Sequence, residues 1–198
     1  MRSLSLALFL ALSVVSSTAL ADDDKSASSG GSIDPSLRGP GSLSDASPQR
    51  RHPMISLFVG LPAAYWGFGG VPFSVGGRYL QPILHDGFVP SLNDSFSIEA
   101  GVDLFAIGRS VFGFGFAVPI EAMWALHFSQ KFSGYLKLGV ALELRFGDWC
   151  WGNVCGGALG IAPGFIGNLG IMYKLTEGLT LRVEAGYPGL KLGLGFPL

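Results

Sequence analysis

Charge is sparse in this sequence. Asp, Glu, Lys and Arg make up only 14% of its 198 residues, and 13 basic side chains stand against 14 acidic ones. Without a basic excess nothing replaces the counterions of a phosphate backbone, so a nucleic-acid partner is excluded. Cysteine is scarcer still, with Cys150 and Cys155 the only 2. Two thiols with no histidine beside them do not complete a tetrahedral metal shell. No phosphate-binding glycine loop, nucleotide motif or metal cluster is present, and no cofactor is expected.

A stretch suited to crossing a bilayer as a helix is missing as well. The uncharged window VCGGALGIAPGFIGNLGIMY, 154–173, is long enough but is broken by six glycines, Pro163 and Asn168. Most of its larger apolar residues, Leu159, Ile161, Phe165, Leu169, Ile171 and Tyr173, fall on odd positions, which is the period of a strand.

What is present divides into three parts. Residues 1–21 carry Arg2, an apolar run from Leu4 to Val15 and the small-residue site Ala19-Leu20-Ala21, the pattern of a secretory signal peptide removed after Ala21. Residues 22–52 are rich in Ser, Gly, Asp and Pro and hold almost no large apolar side chain, so they are expected to form a disordered linker. Residues 53–198 are dense in Gly, Phe, Leu and Val and make one domain.

Within that domain alternation dominates. In YLKLGVALELRF, 135–146, Leu136, Leu138, Val140, Leu142, Leu144 and Phe146 share one face, while Lys137, Gly139, Ala141, Glu143 and Arg145 share the other. A strand of that length is about 40 Å long. The same two-faced pattern runs through 96–107, 114–128, 158–175, 179–187 and 190–198, and less regularly through 54–62 and 73–85. Short connections join these segments as in an antiparallel meander, and an even set of such strands closes naturally on itself. The predicted fold is all-β, an eight-stranded antiparallel up-and-down barrel.

Charges decide which face is inside. Glu99, Asp103, Glu121, Glu143 and Glu184 lie opposite the apolar stripe, together with Arg78, Lys137, Arg145, Lys174, Arg182 and Lys191. Gly101, Gly115, Gly139, Ala141, Gly186 and Gly193 fall on that same face. A solvent-facing strand normally carries Thr, Ser, Lys and Glu instead of glycine, whereas a narrow lumen admits long polar side chains only beside small neighbours. Such charges, nearly balanced, pair across the lumen. The apolar face is left for lipid. Aromatics gather toward the strand ends as interfacial girdles do, with Trp66, Trp149, Trp151 and Tyr187 near one rim and Phe128, Tyr135, Tyr173 and Phe196 near the other.

With the export signal, the pattern resembles the small eight-stranded outer-membrane barrels of the OmpX and OmpA transmembrane-domain type. The resemblance covers residues 53–198 and includes a last alternating run, LKLGLGFPL, with Phe196 in phase. It implies a monomeric, integral outer-membrane protein of a Gram-negative-type cell, with the linker in the periplasm. Outer-membrane lipids and lipopolysaccharide would surround it, and the barrel-assembly machinery would insert it. Cys150 and Cys155 then fall in an outer loop, GDWCWGNVC, where the C-x4-C pair of an exported chain is expected to form a disulfide.

The same two-faced strands also fit a secreted, soluble lipocalin-like barrel that binds an apolar ligand. A third reading is a lipid-modifying outer-membrane enzyme, whose raw materials would be His127 and Ser129 with Glu121 on the same strand, and Ser133 and His85 elsewhere. Sequence alone does not bring a nucleophile, a base and an orienting group together. The expected role is structural or surface-interacting, without catalysis, in a barrel filled by a salt-bridged polar plug and not by a large pore.

Overall fold

The computed structural model describes residues 41–45, 47, 49–62, 72–108, 112–146, 149–151, 154–156 and 159–198, without the side chains of 107, 108, 112, 149–151 and 154–156. The signal peptide and residues 22–40 of the linker lie outside the described residues. Ten strands follow in chain order: β1 (Met54–Leu61), β2 (Phe73–Leu84), β3 (Asp94–Gly108), β4 (Phe112–His127), β5 (Phe132–Phe146), β6 (Trp149–Trp151), β7 (Val154–Gly156), β8 (Leu159–Thr176), β9 (Leu179–Tyr187) and β10 (Leu190–Pro197). Eight of them close into a barrel in the order β1-β10-β9-β8-β5-β4-β3-β2, every neighbouring pair antiparallel. The fold is thus the all-β, eight-stranded up-and-down barrel that the alternation predicts. The glycine-rich window 154–173 contributes most of β8, not a helix.

Period-2 patterning positions the side chains directly. Along β1, Met54, Ser56, Phe58 and Gly60 turn inward while Ile55, Leu57, Val59 and Leu61 turn outward. The closing pair sets Leu57 opposite Leu194 and Phe58 opposite Gly193. β6 and β7 form a small separate hairpin in the β5–β8 connection, an element that alternation in so short a segment does not reveal.

The wall is uneven in height. β3, β4, β5 and β8 run for 15 to 18 residues, whereas β1, β9 and β10 have only 8 or 9. β9 ends at Tyr187, opposite Gly167. Beyond that point Leu159–Ile166 of β8 have β5 as their only strand partner among the described residues.

Inside, the usual order of a soluble protein is inverted. The largest fully buried side chains include Arg182, Lys137, Glu99, Glu121 and Glu184, while Leu57, Leu104, Leu138, Phe165 and Leu192 stand exposed on the outside. Two apolar clusters bracket the charges. One contains Met54, Leu80, Met123, Ala125 and Tyr135, the other Phe105, Ala117, Ala141 and Ile166. Along β5, Tyr135 belongs to the first and Ala141 to the second, with Lys137 between them.

Glycine makes room for these layers at two close approaches. Gly170 pairs with Tyr135, and Gly193 with Phe58. A Cβ at either glycine would fall on the facing ring.

One expectation needs correction. Residues 41–45, 47 and 49–52, read as the end of a disordered linker, make hydrogen bonds to the β2–β3 connection. The Asn93 backbone N–H donates to the Leu43 carbonyl at 2.8 Å, and its side-chain amide donates to the Ser42 carbonyl at 3.2 Å. Gln49 N–H donates to Asp86 and Arg51 N–H to His85 Nδ1, each at 3.1 Å. Composition misses this because hydrogen bonds to the segment's backbone groups, three of the four from side chains of the β2–β3 connection, hold it.

Candidate functional site

The waist of the lumen is a polar site to which all eight barrel strands contribute. Lys137 on β5 is its hub. Its ammonium has three protons to donate, and three carboxylates surround it: Glu99 at 2.8 Å, Glu184 at 3.0 Å and Glu121 at 3.1 Å. Arg182 on β9 reaches Glu99 at 2.7 Å, Glu184 at 3.0 Å and the Ser56 hydroxyl at 2.9 Å. Arg78 on β2 donates to Asp103 at 2.7 Å and lies 3.7 Å from Glu121, and Lys191 on β10 reaches Asp103 at 2.9 Å. Higher up, Arg145 Nε donates to Glu143 at 3.1 Å.

Neutral groups complete the network. The Tyr135 hydroxyl donates to Glu184 at 2.8 Å, and the Asn168 amide donates to Glu121 at 3.1 Å. The Arg182 guanidinium lies 4.9 Å from the Phe58 ring centroid and 5.3 Å from that of Tyr135, a cation–π arrangement in a dry setting. Side chains of the Lys137, Arg182, Glu99, Glu121 and Glu184 group are at most 1% exposed. Ions this deep cost several kcal/mol each to desolvate, so the multiple pairing is what makes the arrangement tenable.

Of the charges assigned to the lumen, Glu99, Asp103, Glu121, Lys137, Glu143, Arg145, Arg182, Glu184 and Lys191 lie inside and paired. Lys174 is a correction. Its side chain is 37% exposed and pairs with Glu177 at 2.6 Å on the rim. A register irregularity between Lys174 and Thr176 marks the end of regular β8–β9 pairing there, so face parity no longer implies an interior position. Sequence reasoning missed Ser56 and Phe58 as partners of Arg182. Both lie on the inward parity of β1, which was the available signal.

Aromatic placement is mixed. Tyr173, Tyr187 and Phe196 face outward and are exposed. Phe128 is half-buried and stacks on Phe132 with ring centroids 5.7 Å apart. Tyr135, expected in an interfacial girdle, is a correction: it is only 5% exposed and sits inside, because it shares the parity of Lys137. Trp66 and the side chains of Trp149, Trp151, Cys150 and Cys155 lie outside the described residues, although the β6–β7 backbone register sets Cys150 opposite Cys155.

At the end of the barrel where β1 begins and β10 ends there is a cavity of about 430 Å³. Met54, Leu80, Met123 and Met172 line its inner part, and Arg50, Arg51, Lys131 and Lys174 line its mouth. His127 stands in its wall between two hydroxyls, with Nε2 2.9 Å from Ser95 Oγ and Nδ1 2.7 Å from Ser133 Oγ. Arg51 donates to Asn93 Oδ1. Burial disfavours the Arg51 cation, while the charges of Asp86 and Asp45 favour it. It remains protonated, as a guanidinium does throughout the physiological range.

Of the enzyme-like set, His127 and Ser133 meet at 2.7 Å, but the other ring nitrogen of His127 faces Ser95 and not a carboxylate, and the remaining members are engaged elsewhere. Ser129 Oγ accepts the Phe132 N–H at 3.0 Å and holds a turn, Glu121 is committed to Lys137 and Asn168, and His85 accepts the Arg51 N–H.

No family model matches the chain, and no curated protein matches it. Among solved structures, it is similar to the N-terminal β-barrel domain of Pseudomonas aeruginosa OprF, with 15% identity and a TM-score of 0.45 over 76% of this chain and 100% of that one. The fold itself is defined by the closure of β1 on β10 and the continuous antiparallel ring between them.

Proposed function

We propose that this chain is a monomeric integral outer-membrane β-barrel with a structural or surface-interaction role. One observation carries the reading: a closed barrel presents apolar side chains outward and pairs its charges inward. Leu57 and Leu138 are each 59% exposed and Phe165 is 85% exposed, whereas Lys137, Glu99 and Arg182 have no exposure. A soluble calyx needs the opposite arrangement, and lipid is the solvent in which the outer face costs nothing.

The remaining features fit the same role. A waist packed with paired side chains supports a plug in place of a large diffusion pore. His127 held between Ser95 and Ser133, with Asp94 engaged by Trp124 Nε1 and the Phe88 N–H and Glu121 held in the plug, supports a non-catalytic protein. Directly opposed residues of an antiparallel pair have Cα atoms about 4.5–5.5 Å apart, which suits a disulfide between Cys150 and Cys155. Export by residues 1–21, insertion by the barrel-assembly machinery, and contact with outer-membrane lipids and lipopolysaccharide belong to this proposal.

Membrane fractionation tests it. The protein should resist carbonate extraction and run faster on gels when unboiled than when boiled. Release by carbonate as a soluble monomer would overturn the reading.

A further inference from the structure

We infer that the cavity at the β1-start, β10-end mouth binds a small amphiphilic anion, a carboxylate or phosphate monoester carried on a short apolar chain. Size is the first support: about 430 Å³ falls among small-molecule sites. Charge is the second. Arg50, Arg51, Lys131 and Lys174 line the mouth, and Glu177 is the one carboxylate in the lining. Glu177 is itself engaged by Lys174 at 2.6 Å. The lining therefore carries an excess of positive charge in a chain that is otherwise balanced.

Donor chemistry is the third. Arg51 Nε is buried without a hydrogen-bond partner among the described residues, a costly state that an acceptor would relieve. The Ser95–His127–Ser133 chain adds another donor. A neutral imidazole has one N–H and one bare nitrogen, so it accepts the proton of one serine and donates to the oxygen of the other. Whichever tautomer forms, one serine hydroxyl keeps its own proton free to donate, and all three residues line the cavity.

Depth is the fourth, and it orients the ligand. His127 pairs with Ser133 at the end of the β4–β5 ladder, while Met123 pairs with Lys137 further in. The cations therefore stand at the entrance and the Met54, Leu80, Met123 and Met172 surface lies deeper, next to the apolar cluster that covers the charged waist. An anionic head stays at the rim and a short chain enters first. Unbranched methionine side chains accommodate such a chain without a fixed shape. This site does not depend on what surrounds the barrel's outer face.

The test uses the full chain in lipid nanodiscs with ¹³C-methyl methionine. Met54, Met123 and Met172 all line the cavity, so their methyl signals report it directly. Titration with hexanoate or hexyl phosphate should shift all three signals saturably, and the tighter of the two names the head group. Hexan-1-ol, with the same chain and no charge, should bind at least about tenfold more weakly, the loss of one charge-assisted contact. Arg51→Gln and, independently, Lys131→Gln should weaken the anions by a similar factor and leave hexan-1-ol unchanged. Shifts that never saturate, equal binding of hexan-1-ol, or no effect of either substitution would overturn the site.

Discussion

Arg182 on β9 and Glu99 on β3 stand four strands apart in a ring of eight, and their side chains meet at 2.7 Å. No two strands of such a ring are further apart, so this single contact spans the lumen. Lys137 joins the same carboxylate from β5 at 2.8 Å. Neighbouring strands are held by the backbone ladder, but opposite walls are held to each other by this network. A barrel braced in that way resists collapse and shear together.

Removing one end of the brace leaves the other charged and buried. Arg182→Met should destabilise the barrel by about 3–5 kcal/mol, the usual penalty for breaking a buried ion pair, and leave Lys137 as the cation shared by Glu99 and Glu184. The midpoint of urea unfolding from lipid vesicles measures it. Arg182→Met/Glu99→Gln should recover part of the loss, and an undiminished loss in the double variant would mean that the pair is not coupled.

Tyr135 occupies space that exists only because residue 170 has no Cβ. Gly170→Ala should displace the ring and strain its hydroxyl bond to Glu184, costing about 1–3 kcal/mol as overpacking does. Thermal unfolding followed by the boiled-to-unboiled gel shift reads the change. In a Tyr135→Ala background the same substitution should be close to neutral.

Leu138 lies midway along β5, next to Lys137 and facing the other way. If its face meets hydrocarbon, Leu138→Arg should cost about 2–4 kcal/mol in vesicles, as a cation at the bilayer midplane does. Equilibrium refolding into vesicles checks this. A negligible cost would place that face in water.

The 41–52 segment should respond to acid. The Gly41 N–H, aided by Ser47, holds the Asp45 carboxyl below its ordinary value of 3.8. With the folded value below the unfolded one, the stabilisation is complete above about pH 3.8 and is lost as pH falls through the lower, folded value. Amide signals of Gly41 and Ser47 should broaden or shift in that acid range while the barrel signals persist. Asp45→Asn should abolish the dependence.

Much of this was legible from residue order. Alternation in 135–146 correctly separated Leu138 from Lys137, and the same rule located the eight barrel strands to within a few residues of their ends. It failed where a second rule was allowed to override it. Tyr135 has inward parity, yet aromatic type and strand-end position suggested a girdle, and burial shows parity prevailing. Lys174 has inward parity too, but it stands where the ladder is irregular and the lumen opens to solvent. The 41–52 segment has Leu43 as its one large apolar residue and is still tied by hydrogen bonds between its backbone and a distant connection, which no local count detects.

Sequence by itself determined that each strand has an apolar and a polar face, because successive side chains leave an extended backbone in opposite directions whatever surrounds it. That property, with an even number of strands, was enough for a barrel with its charges inside. Only the tertiary structure decided that Arg182 meets Glu99, that Lys137 serves three carboxylates, and that cations, hydroxyls and methionines line one cavity. Those encounters depend on strand order around the ring and on relative height along its axis. Both are set by closure of the whole chain, and neither is written into any one segment.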